Sequence, residues 1–459
     1  MIGDQPITLR EFVQRAEYTI RPDYCKQNNY VQKKIILNSL IAEKLYALES
    51  GELHEIDLLL QGRREQQMRQ LLFLEEGYQK VQMDSSTLLA VFDQAGRTYR
   101  LDYFTVNDTR LANNIEHLIW NEEIPFDTLY QKLSPDPLPK RELSWKDQDI
   151  PLLHQQLYLQ PVHKGEVLGP FINSDGTHLF VRIAGWTSQL AMGEKMVSER
   201  WNKVSEYVTH VAAKEKFEDF VSDVMKGQEF TLNEAVFAEL VQFLSPVYLK
   251  TKNQKESVLR TLFDTDATSL NPEFPRKPEI FDEAVVLFLN GTPLTFGEFR
   301  EMVKRHPLVF RAQKLTAENF PQQLKYAIAD LLRDEALNKI ARDRGYEKRS
   351  EIQHTMAMWQ DAYKARAYRE SLIKNLPEKY DRAKDEKAIL KDILEPHTQQ
   401  LQEKYSEQIQ INTQLLTELK LSSVDLMVIQ PNQPWPVLVP SFPVYTQDSK
   451  LDYGSVLTK

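Results

Sequence analysis

Cysteine is nearly absent from this chain, since Cys25 is the only one among 459 residues. An internal disulfide therefore cannot form. No spacing typical of metal ligands surrounds Cys25, which excludes a disulfide scaffold and a cysteine-based zinc site. We predict that Cys25 is a small buried apolar group.

Glycine is also scarce, with 15 residues, which disfavours a glycine-rich nucleotide-binding enzyme. The sequence contains no Gly-x-x-x-x-Gly-Lys loop and no local Ser/His/Asp signature. His54 and Glu55 begin a zinc-protease pattern, but Leu58 stands where the second histidine is required. Local motifs thus indicate no cofactor and no metal, while catalysis built by residues distant in the sequence stays open.

Long apolar runs are missing as well. No stretch of about 18 apolar residues occurs, so we predict no transmembrane segment. The net charge is −9, from 57 basic and 66 acidic residues, which argues against a nucleic-acid binder and favours solubility. No secretory signal precedes the first motif, and we expect a mature chain whose leader has been removed.

A ten-residue phrase occurs twice in the chain. Gly3–Phe12 reads GDQPITLREF and Asn290–Phe299 reads NGTPLTFGEF, with Pro, Thr, Glu and Phe at the same four places. The Thr-x-x-Glu spacing in each copy predicts a capping box, in which the threonine hydroxyl and the glutamate satisfy free amides at a helix start. Two boxes in the same frame indicate two copies of one module.

Amphipathic helices follow each phrase at similar distances. The apolar positions of the first helix in each copy have helical spacing. They are Ile36, Leu37, Leu40, Ile41, Leu45 and Leu48 in the first copy, and Leu324, Ile328, Leu331, Leu332, Ala336, Leu337 and Ile340 in the second. A second helix is predicted at 63–81 and at 352–373. Such helices are marginal alone, so each set must pack on itself or on the rest of the chain.

The segment between the two copies has a different character. Tyr99–Val106 alternates as a strand, 111–133 is predicted as a helix broken by Pro125, and 152–159 as a short helix. A turn then leads into a strand ending at Ile172, and a hairpin turn at 173–177 precedes a last strand from His178. The predicted order is strand, helix, short helix, strand, turn, strand.

These last strands resemble the closing half of a parvulin-type peptidyl-prolyl isomerase domain. The resemblance is carried by GEVLGPFI at Gly165–Ile172 and DGTHLFV at Asp175–Val181, with PFDTL at Pro125–Leu129 and Ser134 upstream. Together with the repeated phrase and its helices, the chain resembles folding factors of the SurA and PrsA type. This resemblance implies a chaperone, a periplasmic or otherwise extracytoplasmic location, and unfolded or partly folded polypeptides as partners, such as outer-membrane or secreted proteins.

The chain departs from the parvulin pattern at the expected site. Tyr103 stands where these domains carry a first-strand histidine, and Glu142–Trp145 replaces a glycine-rich phrase, so only His178 of the histidine pair matches. The resemblance implies that His178 and Tyr103 form a degenerate catalytic site and that Phe126 and Phe171 are pocket walls. Ordinary packing is the alternative for each. We expect weak or absent rotamase activity.

Methionine and aromatic residues are concentrated on the helices that follow each phrase. Because methionine is flexible and polarizable, we predict that Met356, Met358 and Trp359 line a substrate-binding groove. Packing inside a helical core explains the same composition, and that alternative stays open.

The expected fold is α+β and predominantly helical, with SurA-like chaperone modules and one small parvulin-like antiparallel-sheet domain. The predicted segments are a helical module (1–94), the parvulin-like domain (95–187), a helical connector that completes the first module (188–280), a second helical module (281–375), and a charged helix with a proline-rich extended tail (376–459). The predicted function is ATP-independent chaperoning. The alternatives are an active prolyl isomerase and a non-catalytic assembly scaffold.

Overall fold

The structure is a computed structural model of the chain. It describes residues 1–173, 176–249, 282–312, 314–374, 376, 380, 385–422 and 428–456. Parts of four predicted features lie outside these residues: the hairpin turn at 173–177, the connector (188–280), the second module (281–375), and the charged helix with its tail (376–459).

The fold is mixed α+β and mostly helical. The helices are α1 (Leu9–Glu17), α2 (Tyr30–Glu49), α3 (Asp57–Glu76), α4 (Ser85–Gln94), α5 (Thr109–Trp120), α6 (Phe126–Leu133), α7 (Pro151–Leu159), α8 (Glu194–Met225), α9 (Glu234–Tyr248), α10 (Phe296–Arg305), α11 (Phe320–Asp343), α12 (Ser350–Lys374), α13 (Glu386–Ile389), α14 (Glu395–Lys404) and α15 (Thr413–Glu418). A π-helical turn at Leu390–Leu394 joins α13 to α14.

Strands form three small groups. They are β1 (Arg97–Val106), β2 (Lys140–Ser144), β3 (Val167–Ile172), β4 (His178–Ser188), β5 (Phe230–Leu232), β6 (Val285–Leu289), β7 (Thr292–Thr295), β8 (Gln410–Ile411) and β9 (Ser455–Val456). The first group is an antiparallel sheet in the order β2-β1-β4-β3, the second an antiparallel sheet β5-β6-β7, and the third a parallel pair.

The chain divides into two compact units. The helical unit contains Met1–Arg69, Gly227–Val309 and Phe320–Lys459, and the sheet unit contains Gln70–Lys226 with Phe310–Asn319. Most of both predicted helical modules thus falls in the helical unit, while 70–94 and 310–319 belong to the sheet unit. The first predicted segment, 1–94, is divided inside α3, so the segment boundaries expected from the sequence are not the boundaries of these units.

Both copies of the repeated phrase start a helix, as predicted. Thr8 Oγ1 accepts a hydrogen bond from the Glu11 amide at 3.0 Å, at the start of α1. At the start of α10, Thr295 Oγ1 accepts from the Glu298 amide at 3.3 Å, and Glu298 Oε2 accepts from the Thr295 amide at 2.9 Å. Asn290 and Gly291 form the β6–β7 turn with φ of 50° and 80°, which suits a tight hairpin.

The elements that follow each phrase have the same order. In the first copy α2 leads through a 3₁₀ turn at His54–Ile56 into α3, and in the second α11 leads through a 3₁₀ turn at Tyr346–Lys348 into α12. Gly345, with φ of 71°, ends α11 in the left-handed conformation typical of helix C-termini. The two copies therefore share one sequence of elements, as the repeated phrase predicted.

The helices of the two copies pack across one another. Lys44 on α2 pairs with Asp361 on α12 at 2.6 Å, and Leu45 and Ala365 share one buried cluster. In the same way α3 packs on α11, where Arg342 Nη1 lies 2.9 Å from a carboxylate oxygen of Glu65 on α3. Each copy therefore buries its apolar face against the other copy.

The interface between the copies contains a buried charged cluster. Asp334 on α11 lies 3.1 Å from Arg69 on α3 and 2.9 Å from His306, which follows α10. Burial acts to raise the pKa of Asp334, yet the His306 hydrogen bond and the charges of Arg69 and Arg333 hold that pKa well below its usual range. The carboxylate therefore stays ionised between the helices.

A second buried pair joins α1 to α2. Arg15 on α1 donates to both carboxylate oxygens of Glu43, at 2.6 and 2.7 Å, and both side chains are buried. The two parallel hydrogen bonds form the bidentate geometry typical of an arginine paired with a carboxylate. Cys25 is fully buried nearby in the same apolar cluster as Phe12, as predicted.

The sheet unit is built on β1 and β4, the two central strands. One face of the sheet packs on α7, with Leu101, Val181 and Leu153 in the cluster. The other face packs on α5 and α6, with Phe104 and Phe180 in that cluster. The sequence analysis missed β2, a charged five-residue edge strand whose composition does not alternate, while α5, α6 and α7 match the predicted helices.

The Arg15–Glu43 pair gives the first testable prediction. Replacing Arg15 with Met leaves the Glu43 carboxylate buried without its partner, so the free energy of unfolding should fall by about 3–5 kcal/mol, measured by guanidinium titration. The double variant Arg15→Met/Glu43→Leu should recover most of that loss. Lys304→Met removes an exposed pair with Glu301 in the same unit and should cost only about 0–1 kcal/mol. An equal loss in both single variants would contradict the assignment of Arg15–Glu43 as a buried pair.

Candidate functional site

The sheet places the two candidate catalytic side chains on opposite faces. Tyr103 pairs with Val181 and Val106 pairs with His178 across β1 and β4. Side chains alternate between faces along a strand, and directly opposite residues share a face. Because Tyr103 and Val106 are an odd number of residues apart, His178 points away from the face that holds Tyr103. These two residues do not form one catalytic pair.

His178 and Phe126 belong to the face covered by α5 and α6. His178 Nε2 lies 3.2 Å from Thr109 Oγ1 at the start of α5. The Phe126 ring is buried, with its centroid 4.9 Å from that of Phe104, and the Arg182 guanidinium lies 5.3 Å above it. Phe126 is therefore a core residue under an ion-paired arginine.

Tyr103 and Phe171 belong to the face covered by α7. Phe171 is buried and pairs with Leu179, and Tyr103 packs at the margin of the same cluster. Phe171 is thus core rather than an open pocket wall. The four residues expected to form one proline pocket are divided into two pairs, one on each face.

Met356, Met358 and Trp359 are interior residues of the helical unit. Their exposed fractions are 6%, 3% and 2%. The Arg63 guanidinium carbon lies 3.3 Å from the centroid of the Trp359 ring, a close cation–π stack. The predicted groove is therefore not formed by these side chains. A stripe of apolar residues that packs in a core has the same helical spacing as one that lines a groove. Packing between the two copies buries this stripe in the interior of the helical unit.

An exposed apolar patch lies in the sheet unit where the sequence analysis expected none. Leu190 and Met192, in the loop after β4, are 78% and 76% exposed, and Met196 and Val197 in the first turn of α8 are 42% and 41% exposed. We call these four residues the β4–α8 patch. The signal in the sequence is a leucine and two methionines beside a loop glycine, where polar residues are usual.

A small apolar cavity lies in the helical unit between α1, α2 and α15. Its volume is about 150 Å³. Leu9, Leu37 and Leu415 are among its lining residues, and Leu9 and Leu415 are also exposed to solvent. A cavity of this volume has room for a benzene-sized group, and thus for one apolar side chain of a partner.

His154 is a buried histidine that sequence reasoning did not single out. Its Nε2 lies 2.9 Å from the Trp145 carbonyl oxygen, and its Nδ1 lies 2.9 Å from the Tyr207 hydroxyl. Since a carbonyl only accepts, we assign the proton to Nε2 and let Nδ1 accept from Tyr207. Burial lowers the pKa of His154 and raises that of Tyr207 to about 12. With both ring nitrogens occupied, His154 links α7 to α8 rather than acting as a base.

Other site classes find no support in the described part of the chain. Among those residues there is no group of three or more His, Cys, Asp or Glu side chains that could hold a metal ion. No helix within them has both the length and the apolar character needed to cross a membrane. Comparison with family models, with curated proteins and with solved structures finds no match to this chain.

The division of the candidate pocket predicts the outcome of an isomerase assay. An Xaa-Pro peptide isomerises unaided over about 10–100 s at 25 °C, and the protein should leave that rate nearly unchanged because no single face assembles the site. His178→Ala and Tyr103→Phe should give the same trace in a protease-coupled assay. Fast turnover that His178→Ala abolishes would contradict this prediction.

The buried His154 predicts a pH dependence of stability. Because its folded pKa lies below the ordinary value of about 6.5, the unfolded chain binds more protons below that pH. Stability of the sheet unit should therefore be complete above about pH 6.5 and decline as the pH falls through it, by at most about 1.4 kcal/mol per pH unit for one proton. Tryptophan fluorescence during thermal unfolding measures this slope.

His154→Phe should flatten the slope between about pH 7.5 and 5.5, because phenylalanine keeps an aromatic ring and binds no proton. His163→Phe, an exposed position in the same unit, serves as the matched control and should leave the slope unchanged. If both variants kept the wild-type slope, another group would be responsible.

Proposed function

We propose that this protein is an ATP-independent chaperone that binds unfolded or partly folded polypeptides, with a parvulin-like domain of weak or no isomerase activity. The observation that carries the proposal is the β4–α8 patch. Among the described residues, Leu190 and Met192 have the two highest exposed fractions of any large apolar side chain. Exposed apolar patches mark interaction sites, and methionine adapts its shape to varied partners.

The sheet unit supports the parvulin-like part of the proposal. Apart from β2, its elements follow the predicted order, with α5 and α6 after β1, and β3 and β4 closing the sheet. The strand that begins at His178 carries the part of the sequence with the clearest resemblance. An extracytoplasmic location and SurA-like clients belong to the same proposal, because they rest on that resemblance.

The alternatives differ in what they require of the site. An active isomerase needs its polar groups around one proline pocket, whereas Tyr103 and His178 lie on opposite faces. An assembly scaffold would bind a folded partner and ignore unfolded chains. The placement of Tyr103 and His178 on opposite faces favours the chaperone over the isomerase. Binding of unfolded rather than folded partners distinguishes the chaperone from the scaffold.

Aggregation of an unfolded client tests the chaperone directly. Equimolar protein should slow the light scattering of a chemically unfolded polypeptide after dilution, without any nucleotide. Fully burying one large apolar side chain is worth about 1.5–3 kcal/mol. Leu190→Ser/Met192→Ser should therefore weaken client capture by at least about tenfold.

Leu133→Ser is the matched control, since Leu133 is an exposed leucine on α6 outside the patch. It should leave client capture unchanged, and all variants should keep the wild-type thermal transition because the replaced side chains are exposed. A folded wild-type protein that lets several unrelated clients aggregate at the uninhibited rate would overturn the proposal and favour the scaffold.

A further inference from the structure

The proline-rich C-terminal region is seated on the helical unit. Ile429 and Val437 form an isolated bridge that closes a short loop, and 438–450 then continues without helix or strand. The sequence predicted a proline-rich extended tail. In the structure the segment 435–450, which we call the tail segment, follows a groove along helices of both copies. Its buried residues are Trp435, Val439, Pro440, Phe442, Pro443, Tyr445 and Thr446.

One end of the tail segment is held through its main chain by α3. Gln66 Nε2 donates to the Trp435 carbonyl at 2.7 Å, and Gln66 Oε1 accepts from the Trp435 amide at 2.8 Å. Arg63 Nη1 donates to the Val437 carbonyl at 3.1 Å. The Gln66 side chain thus forms hydrogen bonds with both the amide and the carbonyl of Trp435, as a neighbouring β-strand would.

The rest of the segment is held in the same manner by other helices. Arg15 Nη2 donates to the Ser441 carbonyl at 2.7 Å. Asn38 Nδ2, on α2, lies 2.7 Å from the Asp448 carbonyl oxygen and 2.8 Å from that of Lys450. Thr398 Oγ1, on α14, donates to the Tyr445 carbonyl at 3.2 Å.

These contacts depend little on the sequence of the bound segment. Every residue has a carbonyl, proline included, and among the contacts described only that of the Trp435 amide needs an N–H group. The prolines of this region therefore fit the groove without loss of a contact; they are Pro434, Pro436, Pro440 and Pro443. These donors therefore bind the main chain of an extended polypeptide and place few demands on its side chains.

Apolar sockets between these contacts take large side chains. The Trp435 indole lies 4.9 Å from the Arg63 guanidinium and donates through Nε1 to the Arg305 carbonyl at 3.1 Å. A Cβ at Gly62 would come within 1.9 Å of the Arg305 carbonyl oxygen and 2.7 Å of the indole nitrogen, so glycine there leaves room for both. Further along, the Tyr445 ring packs on Tyr46 with centroids 4.6 Å apart.

We infer that this groove is a polypeptide-binding site, that the tail segment occupies it in the free protein, and that an extended client segment with aromatic and aliphatic side chains displaces the tail. The inference deepens the proposed function and rests on it. The tail competes as a tethered occupant at an effective concentration on the order of millimolar, so only clients with several apolar anchors replace it. The β8–β9 pair, beyond Lys450, keeps the displaced tail attached.

Hydrogen exchange of the full-length protein tests the displacement. A permanently unfolded probe, such as a reduced and carboxymethylated secretory protein, is added to saturation and exchange is followed by mass spectrometry. The non-proline amides of 435–450 should exchange at least about tenfold faster with the probe bound, while the amides of α11 keep their protection.

Gln66→Leu tests the groove from the protein side. It removes two hydrogen bonds to the main chain of whichever segment fills the groove, so tail exchange without a client should rise about tenfold. The affinity for the probe should change little, because tail and probe lose the same contacts. Gln61→Leu is the matched control on the same helix, because Gln61 bonds Glu65 and not the tail. It should change neither quantity.

The contrary outcomes are distinct. If the wild type suppresses aggregation while its tail amides stay protected at saturation, the groove inference fails and the proposed function stands. If the wild type binds no probe, both fail. A Gln66→Leu protein that loses its thermal transition and its client binding would make the tail a permanent part of the core. A variant that dimerises while its tail amides stay protected would show that a second copy of the chain occupies the groove. Either result overturns the inference.

Discussion

The packing of two helix pairs across one another is the constraint on which the helical unit depends. Lys44 is the clearest case: its ammonium group is buried, and it lies 3.7 Å from Glu11 of the first phrase and 2.6 Å from Asp361 of the second copy. Burial acts to lower the pKa of Lys44, but these carboxylates raise it above its ordinary value. A buried ammonium is stable only when it is paired in this way, so neither copy is complete without the other.

The same packing decides what is available for binding. It turns the methionine and tryptophan stripe of α12 inward, where Trp359 stacks on Arg63, and it leaves a groove that the C-terminal segment fills. Arg63 contacts Trp359, Tyr363 and the tail carbonyl of Val437, so core and groove share one side chain. We therefore propose the β4–α8 patch and the tail groove as client-binding sites, in place of the stripe that composition suggested.

The two copies also use the same motif residue differently. Glu298 is exposed and completes a capping box, and its hydrogen bonds with Thr295 lower its pKa. Glu11 occupies the same place in the first phrase, but it is partly buried beside Lys44, and this desolvation raises its pKa. The motif fixed a helix start in both places. In the first copy the glutamate also pairs with Lys44, and this pairing depends on α2 lying beside α1.

The sequence by itself determined the local structure. The Thr-x-x-Glu spacing, the 3.6-residue periodicity and the alternation of β1 depend on short-range geometry, so the helix starts, the repeat and most elements were predicted correctly, while the charged edge strand β2 was not. Only the tertiary structure decided which surfaces meet. Strand register placed His178 and Tyr103 on opposite faces, and packing between the copies buried Met356, Met358 and Trp359. Burial and pairing are set by contacts between residues far apart in the chain, which no local spacing encodes.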